Sequence, residues 1–396
     1  MHPSWLRHAI EFVDIKWPHS SPKHRVSIAE SLATITPVFL TTDRGAPDAL
    51  ALRSALYGWA FNKVRRESGQ MTEETTRILK WVEENTYSVG DLTDAALIRK
   101  TLDTLALKID GTPAAATTVA RKRGILYSTL DYAVELKLLD SHPFTHVKWT
   151  APKTDEQVDR RTVINPNQAD ELLLAVRKRA KDLEAFFGCM YYSALRPEEV
   201  LFLSRSDYKR PSEPDGWGWF QLSGSTVALG KDWNGTESIY DDRALKHRAK
   251  TSTRPVPIPP ALVKLLDQHI EECKVPQDSR IFMIRTGANP GRPVSSSTYT
   301  RVWRLAREDV FGKDNAETNP LAKVPYQLRH AAVSLWLNAG VPATQVAEWA
   351  GHSLHVLLKV YAKCIDGEED AARQRIEAAL TLKKSSETST RIPHTE

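Results

Sequence analysis

Apolar residues recur every three or four positions through most of this chain, which is the spacing that aligns them along one face of a helix. In the first 150 residues this pattern predicts six helices separated by turn and capping residues. The predicted helices are Trp5–Trp17, Ser21–Thr36, Asp48–Arg66, Thr72–Asn85, Asp94–Leu107 and Thr112–Leu139. Ser21-Pro22 is typical of a helix start, because serine caps free N–H groups and proline suits the first turn. Residues 1–150 are therefore expected to form an all-helical domain.

A polar run with one proline, residues 151–163, interrupts the apolar pattern and predicts a linker. The second domain is expected over residues 164–383. It opens with Asn165-Pro166, another cap and first-turn pair, before further helical patterns. Residues 384–396 are polar and are expected to be a disordered tail.

One region, residues 216–260, has the character of strands rather than helices. Two prolines in the Arg254–Ile258 stretch predict an edge strand, since proline cannot donate to a central ladder. The segment 223–242 has no role that its sequence explains. The predicted fold class is mainly α with a small antiparallel β-sheet.

Composition narrows the picture only slightly. A chain of 396 residues indicates two or three domains, and its net charge of +5 permits nucleic-acid binding without arguing for it. The three cysteines are widely spaced, which fits a reducing compartment with no disulfide framework and no zinc site. No apolar run reaches 18 residues, so we expect a cytoplasmic protein with no membrane partner. No cofactor motif or metal-spaced carboxylate cluster is found, so no cofactor or metal is expected.

The stretch from residue 324 to residue 361 gathers chemically useful side chains. It contains a cation at Arg329, an imidazole after a helix break at Gly351-His352, and a phenol at Tyr361. Tyr361 shares a helical face with three leucines, which would hold its hydroxyl in a partly dry pocket beside positive charge. A segment nearer the N-terminus contains Arg196 and, three residues later, Glu199. By themselves these two residues would form a local ion pair at a helix start.

Together these motifs resemble the catalytic signature of the tyrosine recombinase (phage integrase) family. The sequence around them is similar to that of integrases from actinobacterial phages. The family pattern is an arginine followed three residues later by an acidic residue, then His-x-x-Arg, Gly-His and a tyrosine nine residues after that histidine. The chain departs from it once, with Tyr326 where the family has the first histidine. The resemblance implies a two-domain C-shaped clamp, with a helical core-binding domain and a mixed α+β catalytic domain.

The resemblance also implies a role for each matching residue. Arg196 and Arg329 would clamp the phosphate, with Glu199 in support, because guanidinium groups fork two donors onto phosphate oxygens. Tyr361 would be the nucleophile. The remaining implied roles are proton donor for Lys250, with Lys246 as the runner-up, phosphate hydrogen bonding or proton shuttling for His352, and hydrogen bonding alone for Tyr326.

Clusters of lysine and arginine are the candidates for DNA contacts, since such cations supply most backbone affinity. For the first cluster, on the sixth predicted helix, the residues alone favour an ordinary solvated face, and the family resemblance favours DNA contacts. The candidates are Arg121, Lys122 and Arg123 in the first domain and Lys246, Arg248 and Arg254 in the second.

We therefore expect a site-specific DNA recombinase that cleaves and rejoins DNA through a 3′-phosphotyrosine, integrating or excising a phage or mobile element. The implied partners are double-stranded DNA at attachment-type sites, further copies of the chain as a tetramer on DNA, and an accessory directionality factor. Such a protein would be nucleoid-associated. The alternatives are a non-catalytic DNA-binding relative and a type IB topoisomerase, which relaxes supercoils without joining two substrates.

Overall fold

The computed structural model describes residues 2–153, 157–236, 238–245, 252–285, 290–362, 373–374, 376–378 and 380. The described residues form mostly helices, with two small sheets. The helices are α1 (Trp5–Lys16), α2 (Pro22–Ile35), α3 (Ala49–Ala55), α4 (Lys63–Glu67), α5 (Glu73–Asn85), α6 (Ala95–Leu105), α7 (Ala116–Glu135), α8 (Pro166–Arg179), α9 (Glu184–Tyr192), α10 (Pro197–Phe202), α11 (Lys231–Asn234), α12 (Pro260–Glu272), α13 (Ser296–Phe311), α14 (Lys313–Thr318), α15 (Gln327–Asn338), α16 (Ala343–Ala350) and α17 (Leu354–Tyr361). The strands are β1 (Tyr208–Lys209), β2 (Gly218–Leu222), β3 (Gly224–Ala228), β4 (Tyr240–Ala244) and β5 (Arg254–Ile258).

The chain divides into two compact units, and neither is continuous in sequence. Unit 1 comprises Met1–Asp155 together with Ala228–Asp241, and unit 2 comprises Glu156–Val227 together with Asp242–Glu396. The first division falls inside the stretch 151–163. The return of the chain to unit 1 at residues 228–241 is a feature that the sequence does not predict.

Unit 1 is built from α1–α7 around an aromatic and aliphatic core. Its helix starts follow the expected local chemistry: the Ser21 side chain accepts a hydrogen bond from the backbone of His24, and Pro22 is the first helical residue. Trp5 is fully buried and packs edge-on against Phe39. Two predicted helices differ from the structure.

The predicted helix Asp48–Arg66 is interrupted. After α3 the backbone forms a π-helical turn over Leu56–Ala60, and Asn62 then caps α4 by accepting from the backbone N–H of Arg65. The sixth helix begins at Ala116 rather than Thr112, because the preceding residues pair back on α6, with the Ala114 N–H donating to the carbonyl of Ala106. In both places a backbone hydrogen bond outside the regular helix competes with the apolar periodicity.

The short helix α11 completes unit 1. The ring of Trp233 stacks on Trp17 with 6.0 Å between ring centroids, and it also lies 5.3 Å from Tyr57. The Arg25 guanidinium donates to the carbonyl oxygen of Trp233 at 2.8 Å, and Asp232 pairs with Arg65 at 2.6 Å. These contacts give a structural role to part of the 223–242 segment.

Unit 2 contains a three-stranded antiparallel sheet in the order β1-β2-β5. The prediction of an edge strand at Arg254–Ile258 is confirmed, because β5 pairs only with β2 among the described strands. β3 and β4 form a second, two-stranded sheet. The main core of unit 2 lies between the first sheet and helices α8, α9, α12, α13 and α15.

Helices α15–α17 share a smaller apolar cluster, and this cluster positions Arg329, His352 and Tyr361. Buried members include Val333, Val346 and Leu357, and the N–H of Val158 donates to the carbonyl of Val360 at 2.8 Å. α16 ends at Gly351, which has φ +65°. No helix in the described part of the chain combines the length and apolar character needed to cross a membrane.

Candidate functional site

A buried carboxylate organises the site. Glu199 is the third residue of α10, where its side chain accepts from the backbone N–H of Arg196 at 2.9 Å and from the Arg196 guanidinium at 2.8 Å. Pro197 occupies the first helical position, so the arginine and the carboxylate are held on the same turn. Local sequence thus brings this pair together.

A second guanidinium reaches the same carboxylate from the sheet. Arg254, the first residue of β5, donates to Glu199 Oε2 at 2.8 Å and is 2% exposed. Burial would raise the pKa of the Glu199 carboxyl, but Arg254, Arg196 and Arg329 together lower it to about 2. The carboxylate is therefore ionised at neutral pH, and it neutralises part of a dense positive charge.

Arg329, on α15, is completely buried. Its guanidinium donates to the carbonyl oxygens of Ala194 and Ala350 and lies 2.7 Å from Nε2 of His352. Burial and the neighbouring Arg196 lower the pKa of this guanidinium. These contacts with two other chain segments, one at Ala194 and one at Ala350 and His352, fix the position of the cation.

His352 follows the αL residue that ends α16. The Gly351 carbonyl accepts from Arg196 at 2.9 Å, and a Cβ at Gly351 would lie 2.0 Å from Nη1 of Arg254. Glycine is thus required here by both backbone conformation and close packing. Burial and then Arg329 lower the pKa of His352 to about 3, so its imidazole is neutral at pH 7.

Tyr361, the last residue of α17, is 1% exposed. Its phenolic oxygen lies 2.8 Å from Nδ1 of His330, and its ring centroid lies 5.9 Å from that of His352. Burial and then Arg329 lower the pKa of His330 to about 4. Tyr326 is 36% exposed, and its ring meets that of His330 edge-on at 5.2 Å.

The structure gathers most of the residues singled out from the sequence into one cluster. Its predicted members are Arg196, Glu199, Tyr326, Arg329, His352 and Tyr361. Two further members were not assigned to it from the sequence. The sequence predicts Arg254 among the DNA-binding cations, and it indicates no role for His330. The sequence signal for His330 is its position, next to Arg329 and one helical turn after Tyr326.

Three predicted cations, Lys246, Arg248 and Lys250, lie outside the described residues. The cations of α7 are all engaged within unit 1. Arg121 pairs with Glu30 at 3.1 Å, the ammonium of Lys122 is buried near Thr34, and Arg123 lies over the ring of Phe144. Burial lowers the pKa of Lys122, and a side chain in that position contributes to packing more than to an exposed face.

The cluster combines guanidinium groups, two neutral imidazoles and a phenol, which suits it to hold an anion and to move a proton. Within the described part of the chain, Nε of Arg329 and Nδ1 of His352 are buried with no hydrogen-bond partner. Among the same residues, no group of three or more His, Cys, Asp or Glu side chains is arranged to hold a metal ion.

No protein-family model and no curated protein matches the chain. Solved structures match it. The Tn1549 transposon integrase in complex with transposon right end DNA is 16% identical, the match covers 79% of this chain and 96% of that chain, and the TM-score is 0.55. The same integrase with a circular intermediate DNA gives 16% identity, the same coverage and a TM-score of 0.53. The XerH site-specific recombinase bound to difH substrate is 13% identical over 90% of this chain and 94% of that chain, with a TM-score of 0.48. The likeness to the Tn1549 integrase shows that this chain has the tyrosine recombinase fold, and it confirms the predicted fold class of helices with a small antiparallel sheet.

Proposed function

We propose that this chain is a site-specific DNA recombinase that cleaves a DNA strand with Tyr361 and rejoins it to another. The observation that carries the proposal is the cluster in unit 2, where a phenol and two neutral imidazoles lie beside the buried Arg329. One buried carboxylate holds two further arginines next to them. The likeness of the fold to that of the Tn1549 transposon integrase supports the same function.

The chemistry needs positive charge placed before the substrate arrives. Attack on a phosphodiester concentrates negative charge on two non-bridging oxygens, and prearranged donors stabilise that charge without reorganising. Arg329 is fixed by backbone carbonyls, and Arg196 by Glu199 and Gly351, so little ordering remains to be done. The partly exposed Arg196 and Tyr326 would meet the phosphate first.

Proton transfers complete the reaction. Tyr361 would form a 3′-phosphotyrosine and release a 5′-hydroxyl, and Lys250 would protonate the leaving 5′-oxygen, as the family resemblance implies. His352 would donate a hydrogen bond to the phosphate. A hydroxyl from another strand would then reverse the step, and the phosphotyrosine link would conserve the bond energy without ATP.

The nearly complete burial of Tyr361 has a consequence for this scheme. A phenol with 1% exposure cannot touch a DNA phosphate, so DNA binding must uncover it. We propose double-stranded attachment-type DNA as the substrate and a tetramer on DNA as the active assembly. Integration or excision of a mobile element, with a directionality factor, is the proposed biological role.

The test is a nicked suicide substrate, which traps the covalent intermediate because the short 5′ fragment diffuses away. We expect an adduct that maps to Tyr361 and is absent in Tyr361→Phe. Tyr127→Phe is the matched control, because Tyr127 is a tyrosine of unit 1 that is 43% exposed. This variant should cleave the substrate at the wild-type rate. DNA binding without an adduct would instead indicate a non-catalytic relative. Relaxation of supercoils without recombinant products would indicate a topoisomerase.

A further inference from the structure

We propose that His330 is the base that accepts the phenolic proton of Tyr361 during strand cleavage, an inference that rests on the function proposed above. Nδ1 of His330 lies 2.8 Å from the phenolic oxygen. A general base must be within hydrogen-bond reach of the proton that it removes, and this separation meets that requirement before DNA is bound.

The second imidazole of the cluster is placed for a different task. Nε2 of His352 lies 2.7 Å from the guanidinium of Arg329, whose N–H groups are donors only, so His352 accepts a hydrogen bond there. Its lone pair is therefore already used. His330 is the imidazole whose nitrogen meets the phenol, and it lies on α15 next to Arg329.

The electrostatic surroundings keep His330 able to accept. Arg329 is its neighbour on α15, Tyr326 faces it from the residue before α15, Tyr361 faces it from α17, and His352 lies nearby. Burial and then Arg329 lower the pKa of His330 to about 4, so the ring is neutral at pH 7. In the tautomer with its proton on Nε2, Nδ1 carries the free lone pair that a base needs.

The timing of the transfer follows from the acidities. A free tyrosine has a pKa of about 10, far above that of His330, so proton transfer before attack is unfavourable. The phenolic oxygen becomes much more acidic as it bonds to phosphorus. An arriving phosphate also offsets the charge of Arg329, which makes the imidazole more basic. The proton therefore moves to Nδ1 as the oxygen–phosphorus bond forms.

The step balances. The bond from the Tyr361 oxygen to phosphorus forms, the bond from phosphorus to the 5′-oxygen breaks, and the phenolic proton goes to His330. The leaving 5′-oxygen takes a separate proton, from Lys250 in the proposed scheme. In the rejoining step the attacking hydroxyl gives its proton to the Lys250 amine left by the first step. Its oxygen bonds to phosphorus as the bond from phosphorus to the Tyr361 oxygen breaks, and His330 returns its proton to the phenol.

The first test compares single-turnover cleavage by the wild-type chain, His330→Ala and His330→Asn on the nicked substrate. Asparagine can accept a hydrogen bond near the position of Nδ1, but it does not take up a proton. We expect both variants to lose about 100-fold or more in rate, measured on DNA-bound protein whose thermal unfolding matches wild type. A cleavage rate for His330→Asn within about threefold of wild type would overturn the proposal, because positioning alone would then suffice. If His330→Ala fails to fold, the asparagine variant decides.

The second test replaces the bridging 5′-oxygen with sulfur, which leaves without being protonated. The defect of the His330 variants should persist on this substrate, because the nucleophile must still lose its proton. Recovery to the wild-type rate would place His330 on the leaving-group side and overturn the inference. A wild-type chain that forms no adduct on either substrate would overturn the proposed function itself, which is a distinguishable result.

Discussion

The carboxylate of Glu199 offers the sharpest test of how the cluster is held together. Replacing it by glutamine keeps the size of the side chain but removes the negative charge between Arg196 and Arg254. Both carboxylate oxygens are engaged, each by a guanidinium at 2.8 Å, and Glu199 is 3% exposed. The variant therefore leaves two positive groups without their shared counter-ion in a buried place.

The magnitude follows from the pKa of Glu199, which falls from 4.5 to about 2. Each unit corresponds to about 1.4 kcal/mol, so the ionised form stabilises the fold by about 3 kcal/mol. Breaking a buried ion pair by removing one partner typically costs about 3–5 kcal/mol. For a unit of this size, a loss of about 3 kcal/mol lowers the melting temperature by about 6–12 °C.

The dependence on pH distinguishes charge from packing. Because the folded-state pKa lies below the unfolded value, the stabilisation is fully present above about pH 5 and disappears as the pH falls towards 2. Chemical unfolding of wild type and Glu199→Gln should show the full difference at pH 7 and about half of it near pH 3. Glu84→Gln is the matched control, because its pair with Lys80, at 3.9 Å, is exposed and should contribute less than about 1 kcal/mol. A difference at pH 7 no larger than that of the control, or one unchanged at pH 3, would refute the reasoning.

Three further predictions concern single positions. Gly351→Ala should destabilise unit 2 and abolish covalent-adduct formation, because the new Cβ would lie 2.0 Å from Arg254 at a residue with φ +65°; normal melting and cleavage would contradict this. Trp233→Ala should lower the stability of unit 1 by at least about 1 kcal/mol, since its ring stacks on Trp17 and makes a tilted contact with Tyr57; an unchanged unfolding curve would count against it. Tyr326→Phe should slow strand cleavage by less than about tenfold, as expected for one lost hydrogen bond, and far less than Arg329→Ala; equal losses would show that Tyr326 does more than hydrogen-bond.

Local chemistry made much of the fold predictable. At Asn165 the cap forms as expected, and Gln168 returns a second hydrogen bond to complete a capping box. The prolines of Arg254–Ile258 correctly indicated an edge strand. These features depend on residues a few positions apart, so the sequence alone contains the required information. The sequence does not predict the π-helical turn at Leu56–Ala60, because the apolar spacing continues through it unchanged.

The site likewise contains contacts that local sequence predicts and contacts that it does not. Arg196 and Glu199 are three residues apart, and their pairing is visible in the sequence. The sequence predicts Arg254 as a DNA-binding cation and does not show its pairing with Glu199, because the two residues are 55 positions apart and only the fold brings them together. The contact of His330 with Tyr361 spans 31 residues and depends on how two helices pack. A motif gives the identity of reactive groups, whereas long-range packing decides which of them touch.

The path of the chain through unit 1 has a consequence for biosynthesis. The aromatic side chains that receive Trp233 are synthesised early, yet their partner is made only after the first part of unit 2, Glu156–Val227, has been synthesised. The helical unit cannot finish folding co-translationally until residue 241 is available, and a protease fragment ending near residue 155 would expose the rings of Trp17 and Tyr57. Cleavage of this protein at a single peptide bond near residue 155 should therefore yield an incomplete, aggregation-prone N-terminal fragment.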